Sequence, residues 1–286
     1  MRNIFIPLVI VLLASCTAAK LSVPDHFSSQ STKMPVKGLN GWMINQQLTM
    51  GNYQTSKIKR GWDFSSSLQF TKFRLRPEEY ILRVLDIEVN HQNLKQRNRF
   101  HYTIGDGQEV AEIYATEKFS EKQLLYKSNN PWIGRASKTK KYEYAFTAAI
   151  IPLGKNEAPW SLVLINSYDI AKDTARRLFD RSYVEEEGYA TNGTDNIAIR
   201  PLRIEEVTTK SGKQTKVFGG RMLSGYELRI DDNVVAIIDL LDNTVWMYND
   251  LQPSEKLILS SVASAMLLKR MQDVEKDSDD LENRMN

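Results

Sequence analysis

The sequence predicts a mostly β fold: an antiparallel barrel, or a sandwich, holding one buried hydrophobic α-helix at its C-terminal end. Three observations carry this expectation. From Val36 onward, stretches of aromatic and β-branched residues recur about every ten residues, punctuated by Gly, Asn and Asp. Several of these stretches alternate apolar and polar residues with period two. After Leu251 the texture changes to a run that is apolar nearly all round a helix.

Taken in order, residues 36–76 mix aromatic and β-branched residues with polar ones, and the apolar-rich stretch 80–90 reads as a longer strand. In 98–104, Phe100, Tyr102 and Ile104 share one face and Arg99, His101 and Thr103 the other, with Gly105-Asp106-Gly107 supplying the turn of a hairpin. Tyr142, Tyr144 and Phe146 likewise share a face in a second hairpin that turns through 154–159. Residues 170–187 break the pattern: Ile170, Thr174, Leu178 and Tyr183 suggest a short amphipathic helix. Strands then resume, with turns at Ser211-Gly212-Lys213, Asp231-Asp232-Asn233 and Asp242-Asn243.

The last element is expected over 253–272. Pro253 and Ser254 suit a helix start, and Glu255 favours the positive end of the helix dipole. No charge occurs between Lys256 and Lys269. Ile258, Leu259, Val262, Ala265 and Met266 cover one broad side, and Ser260, Ser261 and Ser264 gather on the other. Leu257, Leu267 and Leu268 fall near the serines, so no side is fully polar and the helix belongs in a core. A helical Ser can bond the carbonyl four residues back, so the serines do not oppose burial. The charge-free part is about 18 Å long, too short to span a bilayer. Residues 273–286 read as a charged tail.

The N-terminus has a different logic. Met1-Arg2-Asn3 brings positive charge, Ile4 to Ala14 is apolar apart from Pro7, and small residues lead to Cys16. This order describes a secretory signal over 1–15. Leu13-Ala14-Ser15-Cys16 resembles the lipobox of bacterial lipoproteins, and Cys16 is the only cysteine of the chain. The resemblance implies cleavage before Cys16, a diacylglyceryl group on its sulfur and acylation of the new N-terminus. More than one acyl chain anchors stably where a single one is marginal. Thr17, in place of an acidic residue, implies the outer membrane of a bacterial envelope. Residues 16–35, rich in Ser, Thr and Ala, read as a flexible lipidated tether leading to a single domain over 36–272.

The stretch 225–251, rich in strand formers and followed at once by a hydrophobic helix, resembles the end of a tubby-like barrel. That superfamily includes tubby C-terminal domains and phospholipid scramblases. The resemblance covers residues 220–272 and implies an antiparallel barrel of about a dozen strands around a C-terminal helix, closure removing exposed edges. The phosphoinositide-binding residues of tubby domains have no counterpart that can be matched here, and the cysteine cluster of scramblases is absent. The helix expected over 170–187 departs from the pattern.

No catalytic constellation is legible. Charge is nearly balanced, 38 Lys and Arg against 35 Asp and Glu, which argues against a dedicated nucleic-acid binder. His26, His91 and His101 show no metal-ligand spacing, and neither a nucleophile elbow nor a phosphate-binding loop occurs. The acidic runs Glu185-Glu186-Glu187 and Asp231-Asp232 read as solvated loops and turns. No cofactor is implied. Among Trp42, Trp62, Trp132, Trp160 and Trp246, Trp132 and Trp160 follow prolines near loops and are the candidates for an exposed binding surface. Lys138, Lys140 and Lys141 form a basic cluster suited to a lipid headgroup, and residues 57–60 form a smaller one. The expectation is a lipid-anchored envelope protein whose barrel binds lipid or an envelope partner without catalysis. The alternatives are an extracytoplasmic hydrolase acting on polysaccharide or lipid, and a scaffold subunit of an outer-membrane complex.

Overall fold

The computed structural model describes residues 21–40, 46–60, 94–120, 142–154, 157–168, 184–208, 214–217 and 222–285. A short helix α1 (Asp25–Ser28) leads into β1 (Ser31–Lys37), followed by β2 (Thr49–Met50), β3 (Tyr53–Thr55) and β4 (Lys59–Arg60). Long strands come next: β5 (Leu94–Gly105), β6 (Val110–Ser120), β7 (Tyr142–Pro152), β8 (Trp160–Tyr168), β9 (Val184–Thr191) and β10 (Asn196–Ile204). The short pair β11 (Glu206–Thr208) and β12 (Gln214–Lys216) stands apart. The chain closes with β13 (Met222–Ile230), β14 (Asn233–Asp239), β15 (Thr244–Tyr248) and α2 (Pro253–Met285).

Strand pairing settles barrel over sandwich. The order β3-β2-β1-β15-β14-β13-β10-β9-β8-β7-β6-β5 is antiparallel throughout, and β3 pairs again with β5 through Gln54 to Gly105 and Thr55 to Ile104. Twelve strands therefore form a closed ring, with β4 continuing along the same edge of β5 at His101 and Phe100. Closure pairs each of these twelve strands with a neighbour on both sides, which removes the free sheet ends that an open sheet would present.

Alternation fixes which side chains fill the ring. Phe100, Tyr102 and Ile104 are buried while His101 and Thr103 are only partly covered, as the period-two pattern predicts. Across the ladder, Phe100 lies opposite Ala115, Ala115 opposite Ala148 and Ala148 opposite Leu162. Gly188, Ala190 and Ala236 occupy inward positions farther round. These small residues leave the middle of the ring open for something wide.

Helix α2 fills that space. From Leu257 to Lys269 no residue is more than 4% exposed, so strands surround it on every side. It packs on β5, β6 and β7. Its start is capped as expected: Pro253 opens it, and the Glu255 carboxylate accepts the Gln252 N–H at 2.8 Å. Ser261 Oγ donates to the Leu257 carbonyl at 2.8 Å, and Ser264 Oγ reaches the Ser261 carbonyl at 2.9 Å. Ser264 Oγ also meets the Tyr102 hydroxyl at 2.7 Å, tying α2 to β5 inside the core. At about 1.5–3 kcal/mol each, the seven buried Leu, Ile, Val and Met side chains of α2 contribute about 10–20 kcal/mol as an upper figure. That is comparable to the whole net stability of an ordinary domain.

Three boundaries differ from the sequence expectation. Residues 31–35, assigned to the tether, belong to β1, because Ser31–Pro35 pair with Tyr248–Thr244 of β15 and Met34 is buried. Residues 184–187, assigned to a helix, begin β9, because Val184–Glu187 pair with Tyr168–Ile165 of β8. Residues 170–183 of that helix lie outside the described residues. The charged tail is helical, since α2 runs on to Met285, and its Lys, Glu and Arg are good helix formers.

The two ends of the barrel are unlike. Where α2 enters, the strands are joined by short links at 51–52, 106–109, 153–159, 192–195 and 231–232. Asp231 and Asp232 have φ of 48° and 62°, the left-handed pair that a two-residue hairpin turn needs. At the end toward which α2 runs, β4, β6, β8 and β10 end and β5, β7, β9 and β13 begin.

Candidate functional site

Inside the ring the polar groups around Glu186 are engaged with one another, whereas Ser260 Oγ of α2 has no hydrogen-bond partner among the described residues. Glu186 points inward from β9 and accepts from Lys269 Nζ at 3.0 Å and from the Tyr226 hydroxyl at 2.8 Å. Both members of the ion pair are buried. The carboxylate bonds a cation and a phenol at once, which a buried charge requires. These groups lock α2 against β9 and β13. Burial pushes the Tyr102 phenol far above its ordinary range, against the opposing hydrogen bond to Ser264.

Part of the outer wall is closed as well. Tyr114, Thr147, Ala149 and Val163 face outward by alternation and are nonetheless buried. On this side His101 stacks on Tyr114 at 5.8 Å, and the Tyr114 hydroxyl donates to Glu112 Oε1 at 2.6 Å. Burial raises the Glu112 carboxyl, while the Tyr114 hydroxyl and the His101 charge pull it back down. The unpartnered, buried hydroxyls of Thr116 and Thr147 lie on the same outer face as this His–Tyr–Glu set.

Two concave features lie among the described residues. The first lies at the barrel mouth beside the start of α2, a cavity of about 290 Å³. Met34, Met247 and Tyr53 form its apolar part, and Thr32, Asp106 and Lys256 stand among its polar groups. Thr32 Oγ1 donates to Asn249 Oδ1 at 2.7 Å, and Lys256 Nζ donates to the Asn249 carbonyl at 2.8 Å. The N–H groups of Glu109 and Gln108 hold the Asp106 carboxyl below its ordinary range. Burial, followed by the Asp106 and Glu109 charges, pushes the Tyr53 phenol up to about 12. The second feature is a groove of about 570 Å³ between α1 and the β13–β14 turn, lined by His26, Phe27, Val235 and Tyr248 among others.

The Tyr53 shift has a sign that can be tested. A phenol whose folded pKa exceeds its unfolded value of about 10 stabilises the fold below that pH, and the contribution is lost as pH rises through about 12. Tyr53→Phe should therefore flatten part of the fall in stability between these limits, read from urea midpoints at stepped alkaline pH.

The sequence candidates scatter. Trp160 opens β8, points inward and packs half-buried on the core. Trp132, Lys138, Lys140 and Lys141 lie outside the described residues, as do Cys16, Trp42, Trp62 and His91. Trp246 faces outward from β15 with Lys33 Nζ 5.3 Å from its ring centroid. Of the smaller basic cluster, Ile58 is buried in the core while Lys57, Lys59 and Arg60 are exposed. His26 lies on α1 and His101 on β5, and no group of three or more metal-ligating side chains occurs among the described residues. Sequence reasoning missed Lys269 and Glu186, whose signal is a lone charge where the apolar face of α2 stops. No described helix is long and apolar enough to cross a membrane. No family model, curated protein or solved structure matches the chain.

Proposed function

We propose that this is a lipid-anchored protein of the bacterial envelope whose barrel is a non-enzymatic module binding lipid or an envelope partner through its outer surface. The observation that supports it best is the filled ring: α2, buried from Leu257 to Lys269, occupies the middle of the barrel, which favours the exterior and the mouth as the places where a ligand binds. A barrel wrapped round a C-terminal helix is also what the tubby-like resemblance implies. The anchor rests on the Leu13-Ala14-Ser15-Cys16 motif.

The test uses the chain with Cys16→Ala, which should leave the membrane fraction and carry no acyl chain by mass. On that soluble form, Lys138→Glu, Lys140→Glu and Lys141→Glu together should weaken binding to phosphatidylglycerol vesicles by about 100-fold, at about 1 kcal/mol per lysine near an anionic surface. Added salt should weaken the parent in the same direction. Unchanged vesicle binding in the triple variant would remove the lysines from the reading. Membrane retention of the Cys16→Ala chain would remove the anchor.

A further inference from the structure

The anchor is joined to the barrel by far less free chain than the sequence suggests, and this fixes how the barrel sits. Residues 21–30 form a strap on the outside of the ring. Gly225, outward on β13, has no side chain, and a Cβ there would stand 3.2 Å from the Leu21 Cδ2 atom. Leu21 therefore lies directly on the sheet. Farther along, Phe27 is buried, and it borders the groove with Val235 and Tyr248. Between these two contacts Ile237, outward on β14, is buried too. The strap ends where the Asn249 N–H bonds the Gln30 carbonyl at 3.0 Å, next to the start of β1.

Only five peptide spans separate Cys16 from Leu21, about 17 Å fully extended. A free tether running to Pro35 would have allowed about 65 Å. The strap runs from Gly225 toward the end with the short turns, so Leu21, where it begins, lies on the part of the wall away from those turns. Charge points in the same direction: Asp106, Glu109, Glu157, Asp195 and Asp231 belong to the short-turn end and outnumber Lys256 there, with Asp232 paired to Arg200, and an anionic lipid surface repels this acidic excess. Helix α2 continues from the opposite end toward Met285, so the wall rather than the rim is free to lie against a surface.

We infer that the barrel lies directly on the membrane that holds its anchor, with the β13–β14 wall near Gly225 toward the lipid headgroups and the acidic short-turn end directed away. This rests on lipidation of Cys16, which occupies the chain's only thiol and leaves any introduced cysteine uniquely labelled.

The experiment reconstitutes the full lipidated chain in phosphatidylglycerol vesicles bearing headgroup-linked energy acceptors. A donor is placed in turn at Asp242→Cys, beside the proposed contact, and at Gln108→Cys or Thr194→Cys, at the far turns. Gly225 and Asp231 are about 20 Å apart along β13, so transfer from position 242 should be about twofold more efficient than from 108 or 194. Inserting about twenty Gly and Ser residues between Ala18 and Ala19 should abolish that difference. Equal transfer from all three positions with Cys16 acylated overturns the inference alone. A difference that survives the insertion also overturns it, since the short tether would not be its cause. An unacylated Cys16, seen in the mass of the N-terminal peptide, removes the anchor reading and this inference together.

Discussion

Lys269→Met should destabilise the barrel by about 3–5 kcal/mol, because it leaves Glu186 as a buried carboxylate without its cation. The loss would be read as a fall in urea midpoint at unchanged slope, using the chain with Cys16→Ala. The pair itself is not a large net source of stability, since both ions leave water to form it. For that reason Lys269→Met combined with Glu186→Leu should recover much of the loss. A single substitution within about 1 kcal/mol of the parent would show that water reaches Glu186. It would also show that α2 is not locked at that end.

The second large effect concerns the middle of α2. Leu259 is fully buried, and Leu259→Ala should cost about 2–5 kcal/mol through lost burial and the cavity left behind. Leu259→Asp should exceed the net stability of the domain, because a carboxylate there has strands on all sides and no route to water. Circular dichroism and limited proteolysis check both: the Ala chain should stay folded with a lower midpoint, and the Asp chain should not fold. A folded Leu259→Asp chain would place α2 outside the ring. Leu259→Met, which nearly conserves volume, should stay within about 1.5 kcal/mol of the parent.

How far the sequence foretold this fold varies with the range of the information. Alternation at Phe100, Tyr102 and Ile104 is local, and so is the turn at Asp231 and Asp232, and both were legible. The composition of α2 was legible too, because a helix without a polar face has only one place to go. β1 was not. Residues 31–37 contain Pro35, which lacks a ladder donor, and their partners lie on β15 at the other end of the chain. The start of β9 was obscured by Glu185, Glu186 and Glu187, which read as solvated. Only the fold shows that Glu186 faces inward and meets a lysine 83 residues away. The strap was hidden by its own composition, since residues 21–30 carry three serines and gain order from lying on the sheet rather than from any local propensity.

The pairing of β1 with β15 also governs the order of events as the chain is made. The ring cannot shut until its last strand meets its first, a contact that spans 217 residues between Thr32 and Asn249. The core-filling helix is made later still. A chain synthesised N-terminus first must therefore hold an unfinished sheet, oily on its concave side, until translation is complete. Closures of such long range are slow, and exposed strand edges invite aggregation in the interval. A truncated product that stops before Pro253 lacks the helix that the ring wraps, which makes it prey for proteases rather than a smaller working domain.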